Sequence, residues 1–287
     1  EESRCVMAKV LSVGVATLDR IILVKRYPEA NERVVAKQTI EGFGGPAATA
    51  AVTMARLGID VAISCVIGDD DAGRKIFDNL KAEGIDTSNV AIRPDLMTAI
   101  GTIVVAEKTQ SRAIMVQPHA EIAGKPAKID DFDWIHVDQL GMSALKKWGI
   151  KRGGRSKLSI DIGYKYPGLK SSDYDLYAPS ENITTDVSSA AVDENLVVVS
   201  KGGEGSIYSD GIESGEVSAI KQEIVSTLGA GDVFHGALVA AQVWGKSPRE
   251  SVEIANIVAG LSCRALDGQS GIPTKAELDA YFAGARS

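Results

Sequence analysis

The chain has 287 residues, long enough for one large α/β domain or two ordinary ones. With 45% hydrophobic and 24% charged residues it has ordinary globular composition, which excludes a disordered chain and a coiled coil. A net charge of −7 argues against a nucleic-acid partner; with no apolar stretch of ~20 residues and no signal-peptide pattern, no membrane partner is expected and the protein is expected in the cytoplasm.

Short apolar runs alternate with segments of helical period. Val10–Ala16 reads as a first buried strand, Ala47–Leu57 as a helix, Val61–Ile67 as a strand and Ala72–Glu83 as a helix. Trp134–Val137, Leu158–Ile162 and Leu196–Ser200 read as further strands, with closing helices over Phe234–Trp244 and Pro248–Arg264. Such alternation implies right-handed crossovers and a mostly parallel sheet covered on both faces. With no repeat and no low-complexity linker, residues 1–287 are expected to form one domain. Ile21–Glu41 and Thr98–Val116 break the rhythm as polar-flanked strands with no helix between them, so they are expected to pair as a small second sheet. A small sheet beside an α/β body commonly serves as a lid. The basic run Lys146–Lys157 reads as the solvated end of a surface helix rather than an anion site. Cys5, Cys65 and Cys263 lack metal-site spacing and read as buried thiols, and Trp134, Trp148 and Trp244 as packing residues.

Three motifs carry possible chemistry. Ser226-Thr227-Leu228-Gly229-Ala230-Gly231-Asp232 runs directly into a helical segment. Backbone amides there can converge on one point at a helix N-terminus, a cradle for an anion, with Asp232 beside it to take a proton from an attacking hydroxyl. An N-cap role for Asp232 is equally open on these residues alone. Gly42-Phe43-Gly44-Gly45-Pro46-Ala47-Ala48-Thr49 imitates a dinucleotide fingerprint, but Asp60 precedes the next strand instead of ending it. A Gly pair opening an Ala-rich helix instead lets a small ligand approach the backbone. Ser200-Lys201-Gly202-Gly203-Glu204-Gly205 follows a strand and could be a plain turn. Asp69, Asp70 and Asp71 read as N-cap and helix-dipole residues rather than a metal cluster. His235, one turn beyond Asp232, reads as a packed helix residue before a proton relay.

Together these residues resemble the ribokinase, or phosphofructokinase-B, family of carbohydrate kinases. The order along the chain is Asp19, Gly44-Gly45, Gly68-Asp69-Asp70-Asp71-Ala72-Gly73, Gly202–Gly205, Gly229–Asp232 and Gly271-Ile272-Pro273. In motif wording the sequence is most similar to the sulfofructose kinase branch, although Asp138-Gln139-Leu140-Gly141 offers no cation for a sulfonate, and Arg112 and His119 read as solvated lid residues. The resemblance implies a three-layer α/β/α body with a small β-sheet lid over about 21–41 and 98–116, and a homodimer through that lid. It implies ATP-dependent phosphorylation of a hydroxyl, expected to be a hydroxymethyl group, on a small sugar or sugar acid. Asp232 would be the base and Gly229, Ala230 and Gly231 the anion hole. Asp19, at the end of the first strand, would bind the sugar with Gly44, Gly45, Thr49, Asp138 and Gln139. Ser180, Ser200, Lys201, Gly202, Gly203, Gly205, Gly231 and Asn256 would line ATP, with Mg²⁺ reached from Glu181 through water. The alternatives are a nucleoside kinase of the same fold, less favoured at 5% aromatic residues, or a sugar- or nucleotide-binding regulatory protein with weak catalysis.

The sequence also departs from the family pattern. Ser226 replaces the usual Asp, so monovalent-cation activation is not expected, and Leu228 replaces a second Thr. Ser180-Glu181-Asn182-Ile183 keeps only Glu181 of the family's Asn-x-x-Glu element, and Thr49 stands for a common Asn. Ala120–Asp130 and Asp186–Asn195 are short for the helices the family places there.

Overall fold

The computed structural model describes residues 8–109 and 111–284, so Cys5 lies outside the described residues. Strand β1 (Lys9–Val13) is followed by β2 (Thr17–Val24), β3 (Gln38–Gly44), helix α1 (Pro46–Arg56), β4 (Asp60–Ser64) and β5 (Val66–Gly68). Next come α2 (Asp71–Ala82), β6 (Ala91–Arg93), β7 (Ile100–Ala106) and β8 (Ser111–Val116). Then β9 (Trp134–Val137), α3 (Gln139–Trp148), β10 (Lys157–Ile162), β11 (Leu176–Pro179), the one-turn α4 (Val187–Ala190) and β12 (Leu196–Ser200) follow. The hairpin β13 (Ser206–Ser209) and β14 (Ser214–Val217) leads into α5 (Ala230–Val243), α6 (Pro248–Ser262) and α7 (Lys275–Gly284).

The central sheet has eight strands in the order β14-β13-β12-β11-β10-β9-β1-β4, parallel from β12 to β4 and closed at one edge by the antiparallel hairpin. Period-2 alternation sends Val10, Trp134, Leu176 and Ala178 into one core with α1, α5 and α6. It sends Leu11, Val13, Ile135, Val137, Leu158 and Ile160 into a second core with α3. Both faces are therefore covered, as the three-layer reading expects. Helix α5 is buried at Val233–Ala241, and a Cβ at Gly236 would stand 2.6 Å from the Ala50 carbonyl of α1, so only glycine permits that approach.

The two excursions pair as expected into a four-stranded sheet, β3-β2-β7-β8, with β2 parallel to β7. Three expectations need correction. The first strand stops at Val13, because Asp138 captures the Val15 amide at 2.7 Å and a Cβ at Gly14 would meet the same carboxylate at 2.2 Å. Val61–Ile67 is two strands, since β5 leaves the main sheet after Cys65 to pair with β6. The basic run crosses the end of α3, a loop and the start of β10, with Arg152 on Asp175 at 3.0 Å, Arg155 on Asp133 at 3.4 Å and Lys147 on Glu121. The short 186–195 segment is one helical turn capped by Asp186 and ended by Asp193 and Glu194 at positive φ.

Asp70 ties the start of α2 to the segment that enters β7. Its carboxylate accepts from Gly73 N at 2.8 Å, capping α2, and from Thr98 N and Oγ1 at 2.8 and 2.6 Å, just before β7. Asp70→Ala is expected to cost about 1–2 kcal/mol, the worth of a cap and its neighbours, and to lower Tm by roughly 2–8 °C in thermal denaturation.

Candidate active site

The carboxyl ends of β1, β9, β10, β11 and β12 open on one side of the sheet, where open α/β folds bind ligands. A cleft of about 320 Å³ lies there, between the small sheet and the start of α5. It brings together Asp19, Gly44, Gly45, Thr49, Gly229, Gly231 and Asp232. These predicted residues come from three separate stretches of sequence.

The α5 end is built for an anion. Gly229 caps the helix in the left-handed conformation (φ 73°), and a Cβ there would meet Gly268 Cα at 2.9 Å, so glycine is required twice over. No side chain caps the first turn, and Gly229 and Gly231 line the cleft at the positive end of the helix dipole, whereas predicted Ala230 is outside that lining with its amide on the Thr227 carbonyl at 3.3 Å. The loop before it is anchored by Leu228, buried with Ile21, Ile103 and Val105 at the root of the small sheet. Ser226 is also buried, and its hydroxyl accepts the Leu228 amide at 3.1 Å.

Asp232 lines this cleft, half-buried. Burial first, and then repulsion from Asp161, hold its carboxyl well above the usual carboxylate range. A carboxyl moved toward neutrality is suited to take a proton from an alcohol.

Asp19 occupies the opposite wall. It does not end a central strand, as the sequence suggested. It is the third residue of β2, in register with Gly42 on β3 and Gly101 on β7. Thr17 Oγ1 donates to it at 2.8 Å, while burial, joined by the nearby Asp267, raises its pKa. A Cβ at Gly44 would lie 2.0 Å from Asp19 Oδ2, and one at Gly101 would lie 2.4 Å from Oδ1. Gly101 is thus a site residue missed in the sequence, where one glycine in a strand carried no motif.

Other predicted residues are placed elsewhere. Asp138 is outside the cleft lining: it caps α3 through Gly141 N at 2.9 Å and holds Val15 N. Gln139 starts α3 and is likewise outside that lining. Thr49 is buried and receives Gln269 Nε2 at 3.3 Å. Ser180 and Ser200 bridge the ends of β11 and β12, with exposed Glu181 next in sequence and its amide on Ser200 O at 3.1 Å. Lys201 pairs with Glu204 and Glu216 beside the exposed turn Gly202–Glu204, and Gly205 at φ 106° packs on Val217 O. Asn256 is buried, joined to Ser206 Oγ at 2.8 Å and Val217 O at 2.9 Å, so it fastens the edge hairpin to α6. Exposed Arg112 and half-buried His119 line the cleft from the small sheet and the segment after it, and Arg112 donates to Thr227 Oγ1 at 2.8 Å.

A helix N-terminus without a side-chain cap, a carboxyl of raised pKa and Asp19 thus share one cleft. The sequence profile of the pfkB family carbohydrate kinases matches residues 7–147 and 173–275. The chain belongs to this family and is an ATP-dependent carbohydrate kinase. It is 26% identical to a ribokinase of Lactococcus lactis over 96% of this chain and 97% of that one. A nucleoside kinase of Methanocaldococcus jannaschii superposes with a TM-score of 0.81 at 20% identity, covering 97% of this chain and 99% of that one. An Arabidopsis thaliana ribokinase complexed with ribose and ATP superposes at 0.74 and 20% identity, covering 95% and 97%. Among the described residues no helix is long and apolar enough to cross a membrane.

The Gly101 contact is testable. Gly101→Ala should displace the Asp19 carboxylate and raise KM for the sugar or nucleoside acceptor by about tenfold or more, with KM for ATP nearly unchanged in steady-state kinetics.

Proposed function

We propose that this kinase transfers the γ-phosphoryl group of ATP to a hydroxymethyl group of a small sugar or sugar acid. The observation that carries this reading is the shared cleft, with Asp19, Gly44 and Gly45 facing the first turn of α5 and Asp232. Asp19 and the Gly pair hold the acceptor hydroxyls, and charge-assisted bonds to Asp19 contribute about 1.5–3 kcal/mol each. Asp232 takes the proton from the attacking hydroxyl, and the Gly229–Gly231 amides receive the negative charge on the moving phosphoryl. ATP lies along Ser180, Ser200 and the Lys201–Gly205 turn. Ile103, Ile114 and Val116 line the cleft from the small sheet, which acts as a lid excluding water from the transfer. Arg112 and His119 on this side of the cleft favour an acceptor that carries an acid group.

Among the described residues no group of three or more His, Cys, Asp or Glu side chains is placed to cage a metal ion. The exposed carboxylate of Glu181 fits a Mg²⁺ that would be held by the ATP phosphates and reached from Glu181 through water. When bound, it neutralises phosphate charge.

A panel of sugars, sugar acids and nucleosides in an ADP-coupled assay identifies the acceptor; nucleosides alone being phosphorylated would replace this reading with the nucleoside kinase. On the identified acceptor, Asp232→Asn should lower kcat by roughly 10²–10⁴-fold while ATP binding persists by calorimetry. Near-normal turnover in that variant would remove Asp232 as the base. Because Ser226 supplies no carboxylate, exchanging Na⁺ for K⁺ at constant ionic strength should change the rate little; a steep, saturable activation would overturn that expectation.

A further inference from the structure

A second ionisable group lies under the base. Period-2 alternation turns His136 on β9 and Ser159 and Asp161 on β10 toward α5, on the face otherwise lined by Trp134 and Ala178. His235, one turn along α5 from Asp232, is buried there between two acceptors. Its Nε2 stands 2.7 Å from the Ala178 carbonyl oxygen, and its Nδ1 stands 3.0 Å from Asp161 Oδ2. A carbonyl and a carboxylate oxygen can each only accept, so this place between the two suits an imidazolium with hydrogen on both ring nitrogens. Asp161 in turn lies near enough to Asp232 for its charge to raise the Asp232 pKa. Base, second carboxylate and imidazolium therefore form a chain running inward from the cleft.

We infer that the buried His235–Asp161 ion pair is a positioning element for Asp232, with the His235 imidazolium as counter-ion that keeps two adjacent carboxyls from sharing one proton. The inference rests on the reading of Asp232 as base. Two neighbouring carboxyls at a partly buried site do not both ionise readily without compensating charge. With His235 protonated, Asp161 is neutralised as a pair, and Asp232 is left ionised to receive the acceptor proton. Without that charge the dyad holds a proton already, and the base is blocked at neutral pH.

The groups facing this chain bear on its charge. From α5 come Asp232 and His235, from β10 Asp161, from β9 His136 and from the start of α3 Asp138. Burial alone would strip the His235 proton, but Asp161 outweighs it and carries the ring up to about 9. Asp161 is likewise held below the carboxylate range, its burial outweighed by His235. His136, its ring centroid 6.5 Å from that of His235, is driven by burial down to about 4 and stays neutral, with Nδ1 on Ser159 Oγ at 2.9 Å. Burial takes Asp138 up to about 6.

The test has one arm that needs no acceptor. The chain has three histidines, so imidazole NMR titration of the ¹³C-labelled protein resolves each of them, with assignment by single substitution. One ring should stay protonated to about pH 9 and be His235. Because coupling between sites is reciprocal, Asp232→Asn should lower that midpoint measurably and Asp161→Asn should lower it further. A His235 midpoint near 6.5 that neither substitution moves would overturn the ion pair. The second arm is the pH profile of kcat/KM on the identified acceptor. His235→Asn should move its acidic limb up by at least about one unit, a tenfold loss on that limb. Asp161→Asn should move the limb down, and the double variant should return it to within about half a unit of the wild-type value. A structural role predicts lower Tm in each single variant and no rescue. If His235→Asn fails to fold, the sign of the Asp161→Asn shift decides alone. An unmoved limb despite coupled titrations overturns the positioning role, whereas absence of transfer to any acceptor overturns the functional reading and leaves the titration to judge the pair.

Discussion

Helix α5 is fixed before anything at its N-terminus can be. Its residues from Val233 to Ala241 are buried between α1 and the central sheet, and α6 packs along it. Burial of this extent, at about 25 cal/mol per Å² of apolar surface, leaves the helix no freedom to slide. Its first turn therefore holds a constant position at the carboxyl edge of the sheet, and the amides of Gly229–Gly231 are oriented without any side chain to hold them. The same burial places His235 against the strand face that carries Asp161. One packed helix thus sets the positions of Gly229, Gly231, Asp232 and His235.

The opposite wall depends on a different constraint, close backbone approach. Asp19 fits in the small sheet only because its neighbours on both adjoining strands, Gly44 and Gly101, bring no Cβ toward it. Gly45 at φ 90° then turns the chain into α1, with the Val15 carbonyl 2.5 Å from where its Cβ would be. The wall and the helix meet through Thr49, Gln269 and Gly268, so the hydroxyl-binding side and the anion side share a floor.

The layered architecture, both excursions into a second sheet and the long helices α1, α2, α5 and α6 were legible in periodicity and in Gly and Asp punctuation. The cap at Asp70 was legible for the same reason, since a carboxylate before a helix has a local meaning. What the sequence hid were non-local relations. Gly101 matters through Asp19, some eighty positions away. Asp138 reads as a ligand residue from its place after a strand, yet it is consumed by Val15 N and Gly141 N. His136, Ser159 and Asp161 did give a signal, polar residues at alternate positions within buried strands, but only the facing helix shows what that polar stripe serves.

The small sheet is also a statement about order of assembly. Its inner pair, β2 and β7, is parallel, and the chain between them builds α1, β4, β5 and α2 before β7 can dock. Closing so long a loop carries its entropic cost before the pairing returns anything. Leu228, buried with Ile21, Ile103 and Val105, ties the loop before α5 to this sheet, so the two walls of the cleft are ordered together.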